Sequence, residues 1–173
     1  MTVHAIRRLS PADAPPYRAL MLEAYATAPE AFTSSVAERE HLPLTWWESR
    51  VEAGPDVKEL VCGAFAQDVL VGVAGLTFEQ RERTRHKATL FGMFVRQEAR
   101  GTGIARSLVQ EILAQARLRA STQLVQLTVT ESNLAAVRLY GSCGFAIFGT
   151  EPMAVRLGER FITKLHMWQT VGR

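Results

Sequence analysis

The chain has 173 residues, 47% of them hydrophobic and 21% charged, with a net charge of +3. That length is about one domain by the usual prior, and the balance is that of an ordinary globular protein, which excludes the disordered and disulfide-stapled classes. The two cysteines, Cys62 and Cys143, have no CxxC or His-rich partner, so buried free thiols are expected rather than a zinc site or a disulfide framework.

A single domain over residues 1–173 is expected. MTVHAIRRLSPADAPP lacks an apolar signal region, and no run approaches the ~20 apolar residues that cross a bilayer, so a cytoplasmic protein without a membrane partner is expected. TVHAIRRL predicts a short strand. In the segment after it Ser10 is placed to cap a helix, Pro11 fits the first turn and Asp13 favours the positive end of the dipole. That helix is expected through Leu20 to about Ala26, with Pro15 and Pro16 blurring its start. EAFTSSVAEREHLP reads as polar and irregular. TWWESRVEAG reads as a short second helix in which Thr45 and Glu48 have capping-box spacing, ended by Gly54 and Pro55.

KELVCGAFAQDVLVGVAGLTFEQ predicts two apolar strands joined by a tight turn at Gln67 and Asp68. The charged RERTRHK leads into a third apolar strand, KATLFGMFV, whose interior Gly92 signals a bulge or a close backbone approach. From Thr102 to about Ala120, Ile104, Leu108 and Ile112 with Ala105, Val109 and Ala116 recur at helical spacing. STQLVQLTVT is the next strand, SNLAAVRLYGSCG a short helix ended by glycine, and FAIFGTEPMAVRLGERFITKLHMWQ two closing strands around LGER. This order predicts an α/β or α+β domain with a mixed sheet.

RQEARGTGIARSLV, from Arg96 to Val109, joins the third apolar strand to the long helix. Gly101 and Gly103 and the helix N-terminus expose unpaired N–H groups at the positive end of a dipole, which is the chemistry of a phosphate site. A Cβ would hold a phosphate off the backbone, and such loops often need φ > 0. A dinucleotide fingerprint is excluded because five residues, Arg96 to Arg100, separate strand from glycine and Arg106 stands where a small residue is required. No Gly-Lys-Ser/Thr is present for a Walker A loop. Further on, Asn133, Ala136 and Tyr140 share one helical face.

The two features in this order resemble the GNAT superfamily of acyl-CoA N-acyltransferases. RGTGIA matches the family's Arg/Gln-x-x-Gly-x-Gly/Ala loop through Arg100, Gly103 and Ala105, and NLAAVRLYGSCGF matches the following helix and strand through Asn133, Ala136, Tyr140, Gly144 and Phe145. The likeness is clearest from Leu70 to Phe148. APEAFTSSVAERE is a weaker match to the acceptor region, and FITKLHM departs from the Asp-Glu pair that related sequences carry before the final strand's Met.

The resemblance implies a mostly antiparallel central sheet flanked by helices and splayed at the Gly92 bulge, with acetyl-CoA as co-substrate and no metal. It implies that Arg100, Gly101, Thr102, Gly103, Ile104, Ala105 and Arg106 bind the pyrophosphate. The strand backbone at Met93 and Val95 would pair with the pantetheine, beside Asn133 and Ala136. Tyr140 would be the general acid that protonates the departing thiolate.

The acceptor implied is a primary amine, on a small molecule or a protein. With a pKa near ~10.4 it must lose a proton before it attacks. Glu79, Glu131 and His86, each near a predicted strand end, are the candidate bases, directly or through a water. RERTRHK is either a solvated turn or a basic collar for an acidic acceptor, and of Trp46 and Trp47 one is expected in the core and the other at the acceptor cleft. An acyl-CoA-binding regulatory module without turnover is the alternative reading, which Tyr140 argues against. Dispersed basic residues argue against nucleic acid. A homodimer is left open.

Overall fold

Phe65 pairs with Leu70 and Ala66 with Val69, so strands β2 (Glu59–Ala66) and β3 (Val69–Phe78) reverse direction in two residues. Gln67 and Asp68 both take positive φ there, at 48° and 65°, matching the right-handed twist of the flanking strands. The expected hairpin is thus formed without a glycine. β3 is buried at nearly every position because helices cover both of its faces.

The computed structural model describes residues 4–172. Around the hairpin lie β1 (His4–Arg8), α1 (Ala14–Thr27), α2 (Val36–Arg39), α3 (Leu44–Ser49), β4 (Lys87–Val95), α4 (Ile104–Leu118), β5 (Leu124–Thr130), α5 (Leu134–Ser142), β6 (Ala146–Leu157) and β7 (Arg160–Thr170). Thr2 and Val3 of the expected first strand lie outside the described residues. The strands form one sheet in the order β1-β2-β3-β4-β5-β7-β6, antiparallel except between β4 and β5. No described helix is long and apolar enough to cross a membrane.

Each face of the sheet has its own core. Leu108, Ile112 and Ala116 of α4 pack with Leu76, Leu127 and Met167 on one face, as the helical spacing predicts. Tyr17, Leu20 and Met21 of α1 pack with Trp47, Val51, Val61 and Val73 on the other. Cys62 is buried, whereas Cys143 is half-buried, and neither is in a disulfide.

The N-terminal helices differ from the sequence reading in several places. Ser10 and Pro11 open a 3-10 turn over Pro11–Asp13, as read, and α1 itself begins only at Ala14, with Pro15 and Pro16 in its first turn, where the missing N–H groups have no helical acceptor to lose. α3 starts directly after Pro43, so Thr45 is not its cap, and it stops at Ser49, so Gly54 and Pro55 do not end it. The same spacing works ten residues earlier, in the stretch read as irregular. Ser35 N–H donates to Glu38 Oε2 at 2.7 Å and Glu38 N–H to Ser35 Oγ at 3.3 Å, capping α2.

Asp13 ties β1 to this end of the molecule. It accepts from Arg7 at 2.7 and 2.8 Å and from Ser10 N–H and Oγ at 2.8 and 3.0 Å. The Arg7 hydrogen bond, opposed by burial and helped by Ser10, holds the carboxyl at about 2. A depressed folded-state value means stability that is present above about pH 4 and lost as pH falls through about 2. Arg7 is half exposed, so screening trims the gain. Asp13→Asn is expected to cost on the order of 1–2 kcal/mol at pH 7, the difference closing toward pH 2, as urea titrations at the two pH values would read.

Candidate active site

A cleft opens where β4 and β5 part. Lys87, Ala88 and Thr89 pair with Leu124, Val125 and Gln126, and there the ladder stops. On the other side of β4, Val73 pairs with Phe94 and Gly75 with Phe91, so Gly92 and Met93 together oppose Ala74 alone. This is the expected bulge, with Gly92 at φ 61°. It bends β4 away from β5 and frees the facing edge from Leu90 to Val95.

Arg96 N–H donates back across the sheet to Val71 O at 2.8 Å. By the two-residue alternation of an antiparallel ladder, Val95 and Met93 turn their peptide groups the opposite way, into the gap. The Val95 carbonyl is taken there by Arg100 Nε at 2.9 Å.

The cleft measures about 450 Å³ and passes through the plane of the sheet. Phe32, Phe91 and Thr128 line it on the side of α1 to α3, while Met93, Val129, Ala136, Leu139 and Tyr140 line it on the side of α4 and α5. Ala105, Arg100 and Asn133 complete the second side.

At that end lies the glycine loop. Gly101 and Gly103 take φ of 76° and 86°, and Gly103 caps α4. None of the six consecutive N–H groups from Gly101 to Arg106 donates to an acceptor among the described residues. A Cβ at either glycine would meet nothing within 4 Å, so the space above these donors is open. Thr102 Oγ1 fixes the loop by donating to Ala99 O at 2.7 Å, and Arg106 reaches Ser142 Oγ at 2.9 Å. The result is a row of oriented donors at the end of a 15-residue helix.

Tyr140 is 5% exposed and packs edge-on against Phe145, with centroids 5.9 Å apart. It lines the cleft, and its hydroxyl has no partner among the described residues. Burial, with Cys143 nearby, pushes the phenol above its ordinary value of 10.0. It therefore keeps its proton at neutral pH. Asn133 lines the cleft too, but its Oδ1 accepts Ala136 N–H at 3.1 Å and caps α5, which leaves the amide nitrogen for a ligand.

The model of the Acetyltransferase (GNAT) family matches residues 18–145, from α1 through the glycine loop to Phe145. The chain belongs to the GNAT acetyltransferase family. The L-amino acid N-acetyltransferase AaaT of Escherichia coli (strain K12) is 32% identical over 114 residues, 65% of this chain and 68% of that protein. The acetyltransferase of GNAT family from Streptococcus pneumoniae superposes with a TM-score of 0.83 at 26% identity, covering 98% of this chain and 100% of that one. yncA from Salmonella typhimurium, solved with its cofactor acetyl-CoA, gives a TM-score of 0.79 at 20% identity, covering 99% and 96%.

On this GNAT frame the three candidate bases separate. Glu79 and His86 sit at the closed end of the gap: Glu79 N–H bonds Lys87 O, and His86 O accepts from Gln123 and Leu124. Neither lines the cleft. The charged turn RERTRHK lies at that end as well, its Arg81, Glu82, Arg83 and Arg85 exposed, as the solvated-turn reading has it. Glu131 does not line the cleft either, but it is exposed at the open end, in the turn between Thr130 and Asn133, which do.

Several residues near the turn after α1 carry no local signal in the sequence. Thr130 Oγ1 donates to Glu30 O at 2.7 Å, and the buried Lys164 donates to Glu30 O, Ala31 O and Thr130 Oγ1 at 3.3, 3.2 and 3.0 Å. Arg160 pairs with the Glu30 carboxylate. These bonds fasten the turn after α1 to β5 and β7. His166, paired in register with Thr128, lies 2.6 Å from Glu151. Trp47 is in the core, as one of the two tryptophans was expected to be, while Trp46 stands behind Phe91 with Arg50 between them.

Proposed function

We propose that the protein moves an acetyl group from acetyl-CoA to a primary amine by direct transfer with both substrates bound. The row of six unpaired N–H groups from Gly101 to Arg106, at the mouth of a cleft that leads to Tyr140, is the observation that carries this reading. The residues present fit the co-substrate: the donors suit a diphosphate, and the freed edge at Met93 and Val95 suits the amides of a pantetheine arm. The Salmonella neighbour's bound acetyl-CoA supports the same assignment.

In this reading acetyl-CoA supplies the thioester, and the chain supplies position and proton management. The loop and Arg100 hold the phosphates, and Asn133 and Ala136 border the arm. An N–H of the bulged strand faces the thioester carbonyl and stabilises the charge that develops on its oxygen. Tyr140 gives its proton to the departing sulfur. Glu131 takes the amine's proton, directly or through a water.

An L-amino acid is the first acceptor to try, because the Escherichia coli relative is an L-amino acid N-acetyltransferase. The test is thiol release from acetyl-CoA across a panel of amines, beside the heat of acetyl-CoA binding. Release with at least one amine is expected. Binding without release from any amine would favour a regulatory module, and absence of binding would remove the reading altogether.

A further inference from the structure

Arg39 is a cation without a counter-charge on the acceptor side of the cleft. Its Nη2 donates to Ser34 Oγ at 2.9 Å, and its guanidinium lies 4.6 Å from the Trp46 ring centroid. Its Nε is buried and has no partner, and no carboxylate pairs with it among the described residues. Arg50 lies against the same indole at 4.8 Å, but Glu59 matches it at 3.3 Å. The acids beside Arg39 in sequence are engaged elsewhere: Glu38 takes Ser35 N–H and Glu40 meets His41. Two guanidiniums and one carboxylate thus meet on one ring.

The place of this cluster gives the excess charge its meaning. Phe32 and Phe91 line the cleft; Tyr25 packs edge-on against Phe32 at 5.2 Å, and Arg50 lies over Phe91 at 5.1 Å. Arg39 and Arg50 act electrostatically on the Tyr25 hydroxyl, opposed by Glu38, whose carboxylate takes a backbone N–H and makes no ion pair with Arg39. The cluster is one side chain back from the wall, on the face opposite the glycine loop. A guanidinium charge with no carboxylate on it is costly to keep in a half-buried place, and an oxyanion arriving from solution at its open edge neutralises it.

We propose that Arg39 is the docking point for a carboxylate on the acceptor, so that the amines this enzyme uses are amino acids and not bare alkylamines. The inference rests on the acetyl-transfer reading. A guanidinium held over an indole and tied to Ser34 Oγ offers its remaining edge to a carboxylate in a restricted orientation, which a flexible lysine does not. The fixed charge draws the acid end to the Trp46 side and directs the amine inward.

The experiment measures thiol release from acetyl-CoA by the full chain. It uses the L-amino acids together with glycine, β-alanine, 4-aminobutyrate and 6-aminohexanoate, each beside its carboxamide. Wild type is expected to favour the best acid over its carboxamide by at least about tenfold in kcat/KM. Arg39→Gln is expected to lower kcat/KM for that acid by about 100-fold while leaving the carboxamide within about twofold, and Arg39→Lys to recover part of the loss. Misfolding lowers both substrates in proportion, so their ratio reads the docking role alone. Equal loss on acid and carboxamide, or a wild type indifferent to the carboxyl group, overturns the assignment. Release with no amine at all, while acetyl-CoA still binds, overturns the transfer reading and this inference with it.

Discussion

Tyr140→Phe is expected to lower kcat for acetyl transfer by about 100- to 1,000-fold and to leave KM for acetyl-CoA within about twofold, the scale of removing one positioned acid. The prediction is sharp because the substitution removes one atom and little else. The ring keeps its edge-on contact with Phe145 at 5.9 Å, and the hydroxyl has no partner to strand among the described residues. Stability should therefore stay within about 0.5 kcal/mol of the parent, as expected where no packing or hydrogen bond is lost. Burial raises the phenol above 10.0, so it stays protonated through the whole usable range and cannot act as a base there. The kcat profile of the variant should then fall by the same factor at every pH from about 6 to 9. A variant with unchanged kcat would show that the leaving thiolate departs without this proton.

The double replacement of Gly101 and Gly103 by Ala is expected to raise KM for acetyl-CoA about 100-fold. Both positions need left-handed φ, of 76° and 86°, which costs alanine roughly 1 kcal/mol each. Both new methyl groups would stand in open space, so no packing within the protein is disturbed. The loss falls on whatever binds there: two weakened hydrogen bonds to a charged group, at about 1.5 kcal/mol each, amount to roughly a hundredfold. S-acetylpantetheine, which has no diphosphate, supplies the control. Parent and variant should use it equally well. Equal loss on both donors would mean that the loop acts through the shape of α4 and not through phosphate contacts.

Much of the frame was legible because its signals are local. Gln67–Asp68 between two apolar runs, Gly92 inside a strand and RGTGIA before an amphipathic helix each specify their structure within a few residues. α2 was not legible, since four residues give no periodicity, although Ser35 and Glu38 carried its cap. Two of the three candidate bases, Glu79 and His86, lie away from the cleft for a different reason. Glu79 was correctly read as lying at a strand end, but a sequence does not tell the closed end of a splayed pair from the open one. Lys164 and His166 acquire their surroundings only from partners brought together by the fold. For Lys164 the nearest of these is Thr130, 34 residues away in the chain.

The bonds of Lys164 and Thr130 to Glu30 and Ala31 have a consequence for the donor. The gap between β4 and β5 is closed at one extremity by three residue pairs and bolted near the other by these side chains, through a turn that α1 anchors to β3 and β4. It is an eyelet, not a notch. A frame stayed at both extremities does not spread to admit a bulkier thioester, so tolerance for propionyl or butyryl groups would be gained by trimming Phe32, Phe91 or Leu139 from the rim. Loosening the bolt would widen the opening without giving it a shape.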